Sequence, residues 1–148
     1  MANYNDIIDN CKSTKGGIIE AFHALQEEFN YIPQEALTEA ARAFGLSEAQ
    51  AYGVATFYSY LSVEKRGKYI IRMCESAPCH VAGADAVIKA MEEYLGIKVG
   101  ETTADGKFTL ELCECIGQCQ ATPVISVNSK PIFNVTAQQI PEILGQYK

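Results

Sequence analysis

Five of the six cysteines fall into two short stretches, CESAPC and CECIGQC. Cys74 and Cys79 bracket four residues, Cys115 and Cys119 bracket three, and Cys113 stands just ahead of the second pair. Two thiol pairs of this kind allow three chemistries. A structural zinc ion takes pairs spaced C-x2–4-C, and the spacing here lies at the loose end of that range. A [2Fe–2S] cluster takes two thiolates on each iron and is a larger object, which suits longer intervals. The plant-type ferredoxin run, C-x4-C-x2-C, is absent, so the pattern is not that one. A redox disulfide is the third possibility. Spacing favours the cluster and leaves the other two open.

Three thiols in CECIGQC raise the question of which would bind. In a strand, residues 109, 111 and 113 share one face, so Cys113 closes the strand FTLELC and is expected to pack within it. Cys115 and Cys119 flank Ile116-Gly117-Gln118, where Gly117 can take a positive φ and turn the chain. Successive backbone N–H groups in such a turn make a concavity for anions. An oxidised [2Fe–2S] unit with four thiolates is a formal dianion and needs such donors. A second source is the N-terminus of a helix expected to begin after Cys79. The expected ligands are therefore Cys115 and Cys119, with Cys113 in place of Cys115 as the competing choice. His80 and Glu75 border the first pair. Rieske centres use two histidines on one iron, and the other histidine, His23, lies in a helical segment. His80 is thus read as a solvent-facing residue or a hydrogen-bond donor to a sulfur. Cys11 is read as structural, since a free cysteine often serves as a small hydrophobe.

The elements that must position these thiols change character along the 148 residues. Ile18, Ile19, Phe22, Leu25 and Phe29 recur at helical spacing. Pro33 can open a helix over QEALTEAARAF and Gly45 can close it. Ser47 and Gln50 form a capping-box signal for a helix over 48–61, EAQAYGVATFYSYL. Gly53 inside it calls for a kink or the close approach of another backbone. A weaker helix is expected over Asn5–Cys11. EKRGK, 64–68, reads as a linker. Beyond it, YIIRM reads as a strand, and Ala86, Val87, Ala90, Met91 and Tyr94 mark one face of a helix stopped by Gly96. Asp105-Gly106 turns into KFTLELC, PVISV is a further strand, and Asn128-Ser129-Lys130-Pro131 turns into IFNV. Thr136 and Gln139 form a second capping box, with Pro141 disturbing the helix start. Thr122-Pro123 is a candidate cis bond. The order strand–helix–strand, strand–strand–helix is the thioredoxin-like arrangement. It brings the ends of the first two strands, and with them both thiol pairs, to one edge of a sheet. The fold class is therefore α+β, a helical bundle over 1–65 followed by a thioredoxin-like domain over 66–148.

Composition narrows the function. With 48% apolar residues the chain can build a core without cross-links. The net charge of −6 disfavours nucleic-acid binding. No secretory pattern and no membrane-length apolar run occur, so a cytoplasmic protein without membrane insertion is expected. There, six cysteines point to metal or redox chemistry rather than disulfides. No GxGxxG and no nucleophile–base constellation is present.

CESAPCHVAGA, then GETTADGKFTLELCECIGQCQATPVISVN, with NYIP and GVATFY upstream, resembles the small [2Fe–2S] subunit of the NADH-oxidising module of respiratory complex I. It is similar also to the matching subunits of NAD-linked and electron-bifurcating hydrogenases and formate dehydrogenases. The resemblance runs from about Ile18 to Leu144. It implies one [2Fe–2S] cluster on Cys74, Cys79, Cys115 and Cys119, with an apolar residue usual at the position of Cys113. It implies a non-catalytic electron-transfer subunit docked on a larger flavin- and NADH-binding iron–sulfur subunit that holds FMN and NAD(H), beside a further catalytic subunit. A soluble bifurcating hydrogenase or formate dehydrogenase is the favoured setting. A complex I-type enzyme is the alternative, and a free-standing thioredoxin-like ferredoxin or a zinc-bearing structural adaptor are rivals of other classes.

Overall fold

Four helices, then a four-stranded sheet with three more helices, make up the computed structural model, which describes residues 3–147. By contact the chain divides into two compact units, Met1–Lys65 and Arg66–Lys148.

In the first unit, α1 is Tyr4–Cys11, α2 Ile18–Phe29, α3 Gln34–Ala43 and α4 Glu48–Phe57. Their ends follow local chemistry. The Asn3 side chain caps α1, and Asn30 and Gly45 take left-handed φ values beyond α2 and α3. Ser47 and Gln50 cap α4 reciprocally, an arrangement that stabilises a helix by about 1 kcal/mol. Phe22, Leu25, Ile32 and Leu37 fill the core, and alanines at 36, 40, 41, 51 and 55 let the helices approach closely.

α4 stops at Phe57, four residues before the pattern predicts. Tyr58 is extended, and the buried side chain of Gln26 takes hold of the segment that follows. Gln26 Nε2 donates to the Tyr60 carbonyl at 2.8 Å, and its Oε1 accepts from the Ser62 N–H at 2.7 Å. The Ile32 N–H donates to the Ser62 carbonyl at 2.7 Å. These bonds replace the ones a longer helix would have made. No other backbone approaches Gly53 closely within the unit, since a Cβ there would meet nothing within 4 Å. It lies in an open, largely apolar cleft of about 470 Å³ with Ile19, Leu46, Val54, Phe57 and Tyr58.

In the second unit, β1 (Tyr69–Cys74) runs parallel to β2 (Phe108–Cys113) and antiparallel to β3 (Ile125–Val127), which pairs with β4 (Lys130–Ile132). The sheet order is β2-β1-β3-β4. α5 (Ala77–Val81) and α6 (Ala84–Leu95) join the parallel strands, and α7 (Ile140–Gly145) ends the chain after a 3-10 turn at Ala137–Gln139. Ile71, Met73, Leu110, Ile125 and Val127 face a core completed by Val87, Met91, Ile140 and Leu144. The buried stripe of α6 is Ala84, Val87, Ile88, Met91 and Leu95. Ala86 and Tyr94, expected inside, are exposed. The reciprocal Thr136–Gln139 cap is present, and Pro141 falls within the first turn of α7.

The break between the two units falls inside EKRGK, between Lys65 and Arg66, and its second half is built into the sheet unit. Arg66 Nε lies 2.6 Å from Glu111 Oε1, and the Gly67 N–H donates to Thr109 Oγ1 at 2.7 Å. The last hairpin is tighter than predicted. Asn128 and Ser129 both take positive φ, as a two-residue turn between strands requires. Lys130 and Pro131 therefore belong to β4 rather than to the turn. Proline is tolerated there because β4 is an edge strand. The opposite edge, β2, is lined by residues 100–103. The Gly100 and Thr103 N–H groups donate to Leu110 and Phe108, and Thr102 bridges Thr109.

Candidate metal centre

The parallel register places Cys74 opposite Cys113 at the carboxyl ends of β1 and β2. The Glu75 N–H donates to the Cys113 carbonyl at 3.1 Å, extending the ladder one step past the strands. Both chains then turn at the same edge. On one side Cys79 follows within α5, a single helical turn. Cys79 precedes α6, as expected, and α5 is an additional turn that the sequence pattern does not signal. On the other side Cys115-Ile116-Gly117-Gln118 loops round to a 3-10 turn that starts at Cys119.

The thiols meet pairwise. Cys115 Sγ and Cys119 Sγ lie 3.4 Å apart. Cys74 stands close enough to Cys79 and to Cys115 for its thiol to shift the ionisation of both. Among the described residues no three candidate ligands converge on a single-ion site. Cys74 and Cys79 are buried, each 2% exposed, whereas Cys115 and Cys119 are exposed. One pair thus forms a water-free floor and the other a solvent-facing rim.

Backbone donors serve both pairs. Gly117, at φ 80°, directs its N–H to Cys115 Sγ at 3.4 Å. That bond, with Cys119 second, holds the Cys115 thiol below its ordinary range. The Val124 N–H serves Cys79 in the same way, although burial outweighs it and pushes that thiol up. The Val124 carbonyl accepts from the Cys74 N–H at 3.3 Å, so this residue braces both buried thiols. Val124 escaped the sequence reading because a backbone donor has no side-chain signature. Its one clue was the neighbouring Thr122-Pro123 bond, which is cis.

Cys113 is half-buried and packs against the core. Burial pushes its thiol up to about 11. His80 is exposed, with Nδ1 3.3 Å from Asp85 Oδ1 on α6. His23 is also exposed and stacks near Tyr60 in the helical unit. Cys11 is half-buried at the end of α1, and burial raises its thiol. An all-sulfur donor set supported by two backbone N–H groups fits a polythiolate anion such as an iron–sulfur cluster.

Comparison with known proteins agrees with this chemistry. The family model for thioredoxin-like [2Fe–2S] ferredoxin matches residues 4–148. The chain is 35% identical over 140 residues to the HndA component of the NADP-reducing hydrogenase of Solidesulfovibrio fructosivorans, covering 95% of this chain and 82% of that one. It is 36% identical over 130 residues to one of the subunits of the NADH-quinone oxidoreductase of Escherichia coli strain K12, covering 88% and 78%. An NAD+-reducing [NiFe]-hydrogenase in the air-oxidized state matches with a TM-score of 0.74 at 23% identity, over 85% of this chain and 22% of that one, a likeness of fold. No helix among the described residues is long and apolar enough to cross a membrane. The chain belongs to the thioredoxin-like [2Fe–2S] ferredoxin family, whose cofactor is one [2Fe–2S] cluster.

Proposed function

We propose that Cys74, Cys79, Cys115 and Cys119 hold the cluster and that the chain is a one-electron relay in a multisubunit NAD(P)(H)-linked oxidoreductase. The observation that carries this reading is the meeting of two distant thiol pairs at one end of the parallel β1–β2 pair. When bound, the cluster supplies a reversible one-electron site, of order −400 mV for an all-cysteine centre of plant-ferredoxin type. The chain's own residues set its surroundings. Cys74 and Cys79 exclude water from one side, and the Gly117 and Val124 N–H groups stabilise negative charge on sulfur. Cys115 and Cys119 face outward, where a redox partner can approach.

That partner is a larger flavin- and NADH-binding iron–sulfur subunit, which carries the FMN and NAD(H), with a further catalytic subunit beyond it. Residues 66–148 form the cluster domain and 1–65 the docking part, all within the cytoplasm. The apolar cleft on α4, with Phe57 78% exposed beside it, supports docking. The favoured setting is a soluble electron-bifurcating hydrogenase or formate dehydrogenase, and identity to a component of an NADP-reducing hydrogenase supports its hydrogenase form. The near-equal identity to a component of NADH-quinone oxidoreductase supports a complex I-type enzyme as the second reading. Identification of the subunits that co-purify distinguishes the two.

Iron and sulfide analysis after anaerobic reconstitution tests the ligand set. Cys115→Ser removes the cluster, since even changes outside the ligand set cost about 10–100-fold in metal affinity. Cys113→Ala keeps it. The reverse pattern refutes the assignment, and a wild-type chain that takes up no iron refutes the relay itself.

A further inference from the structure

We infer that Arg72 and Glu111, a charged pair behind the ligand-bearing strand ends, set the reduction potential of the centre in opposite directions. The inference rests on the ligand assignment above. Arg72 and Glu111 are register partners on β1 and β2, two residues before the partners Cys74 and Cys113. Strand alternation puts Arg72 on the same face as Cys74, with Cα atoms about 7 Å apart. Arg72 Nε lies 3.1 Å from Glu111 Oε2, and Arg66 Nε lies 2.6 Å from Glu111 Oε1. A carboxylate held between two guanidinium groups is fixed in place, so both charges act from defined positions.

These charges are largely closed to water. The side chains of Arg66, Glu111 and Arg72 are 6%, 20% and 10% exposed. Burying charge is costly, and apolar residues of similar size would hold two strands together as well or better. A field at the strand ends is what this arrangement adds. The ligand-bearing cysteine edge lies two residues further along the same strands. Reduction adds one negative charge to the centre. Arg72 therefore favours reduction and Glu111 opposes it. A unit charge about 10 Å away, acting through an effective dielectric of about 20, changes a one-electron equilibrium roughly tenfold.

The test is an EPR-monitored redox titration of the reconstituted full chain, with iron and sulfide measured in parallel. Arg72→Gln lowers the reduction equilibrium about tenfold, a shift of about 59 mV for one electron. Glu111→Gln raises it by a similar factor, and Arg72→Lys stays close to wild type. Shifts of the same sign in Arg72→Gln and Glu111→Gln, or no shift in either at full iron content, show a merely structural role and overturn the inference. Should Arg72→Gln fail to load, Glu111→Gln decides alone, because an upward shift supports the inference and any other result overturns it. Failure of the wild type to take up iron is a different result and sinks the ligand assignment instead.

Discussion

Gly67 has no room for a side chain. A Cβ at that position would stand 2.9 Å from the Lys107 carbonyl carbon and 3.0 Å from the Gly106 and Lys107 oxygens. All three are backbone atoms, so no rotamer change relieves the clash. The neighbouring bonds, Lys68 N–H to Gly106 at 3.0 Å and Tyr69 N–H to Lys107 at 2.8 Å, tie the same segments together. The Gly67 N–H also donates to buried Thr109 Oγ1. Overpacking costs about 1–3 kcal/mol, and disturbing a buried hydrogen bond costs about 1–3 kcal/mol more. Gly67→Ala should therefore destabilise the sheet unit by about 3 kcal/mol, which lowers Tm by about 12–24 °C for a unit of 60–100 residues. Calorimetry of the loaded chain, with the visible chromophore followed in the same temperature range, measures this. Thr109→Val is the control, because it removes the acceptor without a clash and should cost about 1 kcal/mol. A Gly67→Ala protein within about 2 °C of wild type, or one harmed less than Thr109→Val, would refute the close-packing argument.

Gln26→Met should lower the denaturant midpoint of the helical unit by about 2 kcal/mol in stability, because both bonds to the 60–62 segment disappear. Faster hydrogen exchange at the Ser62 amide should accompany it, and an unchanged midpoint would count against the clamp. Glu92 predicts a pH effect. The Lys98 ammonium and then the Val99 N–H hold its carboxyl below the ordinary 4.5. A depressed folded value means the contribution is complete above pH 4.5 and is lost as the pH falls through the folded value. Glu92→Gln should therefore lower stability at neutral pH, leave it little changed once the pH is below the folded value, and so flatten the acid limb of the profile, as acid titration followed by circular dichroism would show.

What the sequence revealed and what it hid divide along physical lines. The thiol pairs, the Gly117 turn, the capped start of α4 and the Gly96 stop of α6 are local signals, and each appears where expected. The over-long α4 is different. Its residues have helical character to Leu61, but Gln26, more than thirty positions away, offers the backbone other partners. The α6 stripe shifted because adjacent stripes of an apolar helix are equally periodic, and only the sheet decides which is buried. α5 is too short for any period to register. The hairpin slipped by two residues because Asn128 and Ser129 alone satisfy the positive-φ turn. The mutual approach of the two thiol pairs followed from topology, while the Val124 donor did not, because backbone groups look alike in every residue.

Both flanks of the sheet are already spoken for. Pro131 offers no N–H along the short outer strand β4, and residues 100–103 occupy the β2 side. A neighbouring polypeptide therefore cannot lengthen the sheet by adding a strand of its own. Assembly into a larger enzyme has to proceed through side chains and loops, which lets the electron carrier sit among other proteins without the risk of stacking edge to edge with copies of itself.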